Sequence, residues 1–179
     1  MEHNKSKLKA CVILPTYNEA ENIVSVTEAI FRTQSDIHAH QLHVIVVDDN
    51  SLDGTQEIVK QQMKQFSRLH LVTGNKVGLG DAYKRGISFA VKKLNPDLLL
   101  QMDADGQHDA KLIPEFINLA HNDFDLVIGS RFAPGGKTPD FSIWRKFLSI
   151  AGNFLIRHLG KAGNVQDCTS GFRCIKTNL

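Results

Sequence analysis

Short apolar stretches alternate with amphipathic stretches of about a dozen residues over the first 130 residues, and this alternation constrains the fold most. The apolar stretches predict buried strands at residues 10–15, 42–47, 69–72, 98–102 and 126–128. Apolar positions at helical spacing predict helices at residues 19–33, 54–66, 80–94 and 110–121. Strands separated by helices are typical of βαβ units. The sequence therefore predicts an α/β fold with a mostly parallel central sheet and helices on both faces.

Polar residues follow four of the predicted strands, at residues 16–19, 48–51, 103–105 and 130–131. In parallel sheets, ligands bind beyond the carboxyl ends of the strands, so we expect a binding site there. Asn18, with Glu21 three residues later, resembles a capping pair at the start of the first helix.

The acidic motif after the fourth strand predicts a metal site. Asp103 and Asp105 are two positions apart, so both carboxylates can point into one cleft. Hard oxygen ligands at this spacing suit Mg²⁺ or Mn²⁺ shared with the phosphates of a substrate. Gln107 could add an oxygen and His108 a nitrogen, which would favour Mn²⁺ tolerance. The alternative is an Asx turn that caps the next helix, which Asp109 alone could form.

A second acidic group follows the second strand. Asp53 is explained as a cap for the helix that begins at Gly54. Asp48 and Asp49 are adjacent carboxylates, which repel unless they are hydrogen-bonded or solvated. One of them could accept hydrogen bonds from a base edge or a ribose.

The glycines at 78 and 80 do not form a dinucleotide-binding fingerprint, because Tyr83 occupies the third glycine position. P-loop and serine-hydrolase motifs are also missing from the sequence. We interpret the glycines as a tight turn into the third helix. A ligand contact from this loop, including Lys76, is the alternative.

The last 49 residues differ from the rest of the chain in charge. Residues 131–179 carry a net charge of +6, against −4 for residues 1–130. This stretch combines a Gly/Pro-rich loop at 133–140, an amphipathic helix at 143–159 and a strand or hairpin at 165–176. The basic charge could suit an anionic ligand or a membrane surface, or it could be chance variation on a solvated face.

Composition narrows the class of protein. A length of 179 residues indicates one domain, with a polar tail at residues 1–9. The net charge of +2 argues against a general nucleic-acid binder. The three cysteines form no C-x-x-C pair, so we expect neither a zinc cluster nor a disulfide framework, but a reducing, cytosol-facing location. Because residues 1–9 are polar, we expect no signal peptide there, and no apolar run in the sequence approaches the ~20 residues that span a bilayer.

Taken together, the motifs resemble glycosyltransferase family 2, and within it the dolichyl-phosphate (polyprenyl-phosphate) mannosyltransferase group. The matching strings are LPTYNE (14–19), VDDNS (47–51) with DGT (53–55), GLG (78–80) with AY (82–83), MDAD (102–105) with QH (107–108), GSR (129–131) and SGFR (170–173). They run in the family's order over nearly the whole chain. The resemblance implies a nucleotide-binding fold of the GT-A type, with residues 10–130 as the nucleotide-sugar-binding part and 131–179 as the basic acceptor-side part.

The resemblance also implies roles for individual residues. Those implied to bind the donor are Pro15, Tyr17, Glu19, Val47, Asp49, Asp103, Ala104, Asp105 and Arg131. Val47 and Asp49 would contact the base or ribose. Those implied to hold Mg²⁺ or Mn²⁺ are Asp103, Asp105 and Gln107, and those implied to hold an acceptor phosphate are Arg131, Arg145 and Ser149. Asp105 and Arg131 are the implied catalytic residues.

The implied reaction moves a hexose with inversion to a polyprenyl or dolichyl phosphate at the cytoplasmic face of a membrane. GDP-mannose is the suggested donor, and UDP-glucose remains open. Members of the family continue well past the SGFR string, so the resemblance implies a C-terminally truncated version. The alternatives are a transferase with a hydroxyl acceptor and a nucleotide-sugar-binding module without turnover. Helix 143–159 is expected to pack in the core, with peripheral membrane contact as the alternative.

Overall fold

The computed structural model describes residues 7–130, 167 and 170–178, which share one six-stranded sheet flanked by helices. The strands are Leu8–Thr16 (β1), His40–Asp48 (β2), Leu69–Thr73 (β3), Leu98–Gln101 (β4), Leu126–Ile128 (β5) and Arg173–Lys176 (β6). The α-helices are Ile23–Arg32 (α1), Thr55–Gln62 (α2), Leu79–Phe89 (α3) and Ile113–Asn122 (α4). Short 3₁₀ turns at Thr33–Asp36 and Ala110–Leu112 and a π-helical turn at Ala90–Leu94 adjoin them.

The strand order is β3-β2-β1-β4-β6-β5. Strands β1 to β4 pair in parallel, whereas β6 is antiparallel to both of its neighbours, β4 and β5. Strand β5 therefore runs in the same direction as β4. The predicted mostly parallel sheet is confirmed, and β6 is the only antiparallel strand among the described residues.

The central strand β1 explains why both sheet faces need helices. Ala10, Val12 and Leu14 point to one face, while Cys11 and Ile13 point to the other, and all five side chains are fully buried. A strand that is apolar on both faces is stable only when both faces are covered. Helices α1, α2 and α4 cover the first face and α3 covers the second.

Helix α3 lies very close to the sheet, and Gly86 makes this possible. A Cβ atom at residue 86 would lie 2.5 Å from Ile13 Cγ2 and 2.8 Å from Val47 Cγ2. The helix ends in the π-helical turn, after which Asn95 adopts a left-handed conformation (φ 48°). The close packing fixes α3, and with it the side chains that its first turns direct toward the carboxyl ends of the strands.

The predicted capping pair at the first helix is wrong. Helix α1 begins at Ile23, and Asn18 lies in the preceding turn in a left-handed conformation (φ 58°). Its side-chain Oδ1 instead accepts a hydrogen bond from the Leu52 amide at 3.0 Å. The predicted loop 133–140 and helix 143–159 lie outside the described residues.

Candidate functional site

Four loops meet at the carboxyl edge of the parallel strands. We call residues 17–22, 49–54, 74–78 and 102–109, which follow β1 to β4, the carboxyl-edge loops. Thr16 and Asp48 are register partners at the ends of β1 and β2. The Asp49 amide donates to the Thr16 carbonyl at 3.0 Å, which holds the first two loops side by side. The predicted convergence at this edge is confirmed for the polar residues at 16–19, 48–51 and 103–105, and the loop at 74–78 lies at the same edge.

Asp48 is an internal anchor of this edge. Its carboxylate is fully buried and accepts hydrogen bonds from Thr16 Oγ1 (3.0 Å), Gln56 Nε2 (2.7 Å), and the amide (2.9 Å) and hydroxyl of Ser51. A buried charge with this many donors is satisfied without a ligand. Of the two adjacent carboxylates, Asp49 is therefore the one left to contact a ligand.

Asp49 is nearly buried, with 8% of its side chain exposed, and it forms an ion pair with Arg85 through Oδ1 and Nη2. Its other oxygen, Oδ2, accepts no hydrogen bond from any residue that the structure describes. Arg85 also pairs with Asp81 one turn earlier on α3. The second loop is thus joined to α3 through one guanidinium group.

The first loop presents an aromatic ring at the edge. Tyr17 is 38% exposed, and the Lys76 ammonium lies 3.3 Å from the ring centroid, a cation–π contact between the first and third loops. The Asn18 amide donates to Ser51 Oγ at 2.8 Å, and the Glu19 amide donates to Thr55 Oγ1 at 3.0 Å. Hydrogen bonds from the main chain therefore position Tyr17 and the half-buried Glu19.

One local prediction is corrected around these loops and another is confirmed. The N-cap residue of α2 is Gly54 (φ 91°), not Asp53. Asp53 precedes it in an Asx turn, in which its Oδ1 accepts the Thr55 amide at 3.0 Å, while its Oδ2 accepts the Ala20 amide at 2.9 Å. Gly78 adopts φ 147° directly before α3, which is the tight turn that the glycine pair predicted.

Asp103 is held by two partners at the end of β4. The Tyr83 hydroxyl donates to Oδ1 at 3.1 Å, and His108 Nε2 lies 3.1 Å from Oδ2. The hydrogen bond from His108, more than any other contact, lowers the pKa of Asp103, so the carboxylate is ionised at neutral pH. Burial, followed by the Asp103 charge, raises the pKa of Tyr83 and keeps that hydroxyl protonated as a donor. Gly171 packs against this carboxylate, since a Cβ atom there would lie 2.8 Å from Oδ2.

Asp105 and Gln107 project from the same loop into solvent. Asp105 Oδ1 accepts the Gln107 amide at 3.0 Å in an Asx turn. Asp109 forms the Asx turn that the sequence offered as the alternative to a metal site, because its Oδ1 accepts the Lys111 amide at 3.0 Å. Asp109 therefore accounts for the start of the next helical segment, which leaves Asp105 without that structural role.

The potential metal ligands of this loop fit a cation that is shared with a bound ligand, rather than one that is held by the protein alone. Within the described ranges, no three His, Cys, Asp or Glu side chains are grouped so that they could hold a metal ion. In that same part of the chain, no residue donates to the second oxygen of Asp105. Mg²⁺ commonly binds through one or two carboxylates and completes its coordination with waters and phosphate oxygens. His108, considered as a nitrogen ligand, contacts Asp103 instead.

The remaining residues that were predicted to bind the donor or the acceptor differ in exposure. Val47 is fully buried against Gly86, and Ala104 is 3% exposed in the core. Contacts from these two residues would therefore come from the main chain. Pro15 is half-buried near the end of β1. The predicted Arg131, Arg145 and Ser149 lie outside the described residues.

A cleft of about 600 Å³ lies between the fourth loop and α1. Gln107 and His108 line it, together with Val26 and Ala29, but the acidic pair at 103 and 105 does not. We therefore place the candidate site at the carboxyl edge, where the charged groups converge.

Sequence reasoning missed Tyr83 and Arg85. The motif string at 82–83 includes Tyr83 but gives it no role in the site, although a buried tyrosine hydroxyl needs a hydrogen-bond partner. Arg85 stands four residues after Asp81, but no local pattern reveals its pairing with Asp49, which is 36 residues away.

A family model described as Glycosyl transferase family 2 matches residues 11–179. The chain belongs to this family. Curated relatives include a polyprenol monophosphomannose synthase of Mycolicibacterium smegmatis (32% identical), a dolichol-phosphate mannosyltransferase of Pyrococcus furiosus (32%) and an undecaprenyl-phosphate mannosyltransferase of Micrococcus luteus (35%). Each alignment covers 173 residues, or 96% of this chain, but 63%, 47% and 68% of the respective relative.

Solved structures agree on the GT-A-type fold. A mannosyltransferase from Pyrobaculum calidifontis, in complex with GDP-Man and Mn²⁺, superposes with a TM-score of 0.63 at 22% identity. The match covers 97% of this family 2 chain and 46% of that protein. No helix in the described part of the chain combines the length and apolar character needed to cross a bilayer.

Proposed function

We propose that this chain is a metal-dependent, inverting hexosyltransferase that moves mannose from GDP-mannose to a polyprenyl or dolichyl phosphate. The observation that carries the proposal is that Tyr17, Asp49, Asp103 and Asp105 lie on loops that follow parallel strands at one edge of the sheet. Relatives that share about a third of its residues over 96% of its length are named as synthases or transferases that join mannose to a polyprenyl or dolichyl phosphate. Those names favour mannose over glucose as the sugar, and the family resemblance suggests GDP as its carrier.

The carboxyl edge offers complementary groups for the nucleotide. The exposed Tyr17 ring can stack on a base, and Asp49 Oδ2 can accept a hydrogen bond from a base N–H or a ribose hydroxyl. Glu19 and the backbone of Pro15 and Val47 would complete this half of the donor site.

The acidic loop would serve the diphosphate. Asp105 and Gln107, supported by Asp103, would hold Mg²⁺ or Mn²⁺ against the phosphate oxygens. The bound cation would stabilise the charge that develops on the leaving nucleoside diphosphate. Tyr83 and His108 keep Asp103 ionised and oriented, so that their contribution is to shape the site rather than to transfer a proton.

The acceptor needs no general base. A lipid phosphate has a second pKa of about 6 and is anionic at neutral pH. An oxygen of that phosphate forms a bond to the anomeric carbon while the bond from that carbon to the donor diphosphate breaks, and the diphosphate leaves with the bonding electrons. Attack from the opposite side inverts the anomeric centre. Arg131, Arg145 and Ser149 are proposed to hold the acceptor phosphate, because arginine forks match phosphate oxygens.

The test is transfer of radiolabelled mannose from GDP-mannose to undecaprenyl phosphate in detergent, with Mn²⁺ or with a chelator. We expect an inverted lipid-linked product that requires the cation. Asp105→Asn should lower the rate at least about 100-fold. Asp109→Asn is the matched control, because Asp109 is an exposed carboxylate in the same loop and asparagine also caps helices. It should stay within about twofold of the wild type.

The outcomes separate the alternatives. A retained anomer, or full activity of Asp105→Asn, would refute the mechanism. Transfer to a sugar hydroxyl in place of the lipid phosphate would select the hydroxyl-acceptor enzyme. Cation-dependent uptake of GDP or UDP with no transfer to any acceptor would select a binding module. Co-sedimentation of the protein with anionic liposomes tests the proposed peripheral membrane contact at the cytoplasmic face.

A further inference from the structure

Arg85 joins three segments at the carboxyl edge through one side chain. Its Nη2 pairs with Asp49 on the second loop, and its Nη1 pairs with Asp81 on α3. Nη1 also lies 3.5 Å from the carbonyl oxygen of Asn75 on the third loop. The side chain is 22% exposed, so most of the guanidinium lies between these segments.

The third loop is shaped around this guanidinium. A Cβ atom at Gly74 would lie 2.5 Å from Arg85 Nε and 2.8 Å from Cζ, so any larger residue would displace the group. The Gly74 amide is itself held by the Asp48 carbonyl at 3.0 Å. Arg85 Nε is buried and has no hydrogen-bond partner within residues 7–130, 167 and 170–178. An orphaned buried donor lowers stability, which indicates that packing alone does not explain why the arginine occupies this position.

The arrangement fixes the orientation of the Asp49 carboxylate. One oxygen is engaged by the guanidinium, and the other accepts nothing from the described residues. Because the guanidinium is planar and is held on its other side by Asp81, it restrains the rotation of the carboxylate as a lysine ammonium could not. Asp49 can then present one oriented lone-pair oxygen to a ligand N–H or O–H without reorganising on binding.

We propose that Arg85 is a positioning residue for nucleotide recognition, which holds Asp49 so that its Oδ2 accepts a hydrogen bond from the base or ribose. This inference rests on the proposed function, since it assumes that a nucleoside diphosphate occupies the carboxyl edge. A purely structural clamp makes a different prediction. Its loss would lower stability, but the protein that remains folded would bind nucleotide as tightly as before.

The experiment measures binding of GDP and of UDP in the presence of Mn²⁺ by calorimetry, with thermal unfolding of each variant alongside. Arg85→Met should weaken binding of the preferred nucleotide about tenfold or more, the loss expected when a charge-assisted hydrogen bond is misaligned. Lys84→Met is the matched control, because Lys84 is the exposed neighbour on the same helix and its loss removes the same charge. It should change the affinity less than about twofold.

Two further variants separate positioning from charge and from folding. Gly74→Ala should displace the guanidinium while leaving Arg85 and Asp49 in the chain, and should weaken binding by a similar factor. In an Asp49→Asn background, Arg85→Met should add less than about twofold, because residues that act through one another are not additive.

Each outcome bears on a different part of the argument. Wild-type affinity in folded Arg85→Met, or an equal loss in the presence and absence of the Asp49 substitution, overturns the inference and leaves the proposed function standing. If the wild type takes up neither nucleotide with Mn²⁺, the proposed function fails, and the inference fails with it. If Arg85→Met does not fold, Gly74→Ala decides, and wild-type affinity in that variant overturns the inference.

Discussion

A buried histidine pair should make this protein lose stability as the pH falls below neutrality. His43 is 8% exposed, and its Nδ1 lies 3.1 Å from Nε2 of His70 on the neighbouring strand. Its Nε2 is buried without a hydrogen-bond partner among the described residues, so a proton there would lack solvation. Burial, reinforced by the charges of His70, Lys9 and Arg68, lowers the pKa of His43 to about 4.

The sign and size of the effect follow from linkage. The unfolded chain has the ordinary histidine pKa of 6.5, so between about pH 6.5 and 4 it binds more protons than the folded protein. Stability is therefore retained above this window and falls as the pH decreases through it. Lowering the pH from 7 to about 4.5 should reduce the free energy of unfolding by about 2 kcal/mol through His43 alone.

Urea unfolding at pH 7 and at about pH 4.5 tests this, with each variant compared with itself at the two pH values. His43→Phe replaces the titrating ring with a planar apolar ring and should remove about 2 kcal/mol of the difference. His38→Gln, at an exposed histidine, should leave the difference unchanged. The pKa of His70 is also lowered by burial, so some pH dependence should persist. Equal pH dependence in the wild type and His43→Phe would refute the reasoning.

Three further predictions concern packing and the acidic loop. Gly86→Ala should lower the free energy of unfolding by about 1–3 kcal/mol in urea titrations, because its Cβ would overlap the sheet. Gly80→Ala, also in α3 but with nothing within 4 Å of the added Cβ, should leave it unchanged or raise it by up to about 1 kcal/mol. Tyr83→Phe removes a hydrogen bond to Asp103, so the pKa of that carboxyl should rise in an NMR titration, with about 1–2 kcal/mol of stability lost. Gly171→Ala should displace the same carboxylate and weaken Mn²⁺-dependent nucleotide binding in calorimetry, and unchanged binding would contradict that contact.

Local chemistry made much of the fold predictable. The apolar runs of β1 and β2 are fully buried, and a run that is apolar on both faces requires a covered parallel sheet. The tight turn at Gly78 was also predicted correctly, since a turn depends on neighbouring residues only. The convergence of polar loops followed from strand direction, which the βαβ alternation already implies.

Features that depend on distant partners could not be predicted in this way. Asparagine often caps helices, but the Asn18 side chain instead accepts a hydrogen bond from the Leu52 amide on the adjacent loop. No local sequence pattern reveals this contact. The position of β6 between β4 and β5 is likewise a property of the assembled sheet. Asp48 and Asp49 are equivalent in sequence, and only their different partners show that Asp48 is an anchor.

The pairing of β5 with β6 has a consequence for how this family can diversify. Ile128 and Arg173 are register partners, and the Gly129 amide bonds to the Phe172 carbonyl at 2.9 Å, so the chain leaves and rejoins the sheet at adjacent points. Closing such an excursion costs only about 0.6 kcal/mol more for each doubling of its length. Sequence inserted between these two points therefore adds little entropic cost, and the register of β5 and β6 beside β4 can stay the same while the connecting segment changes in length.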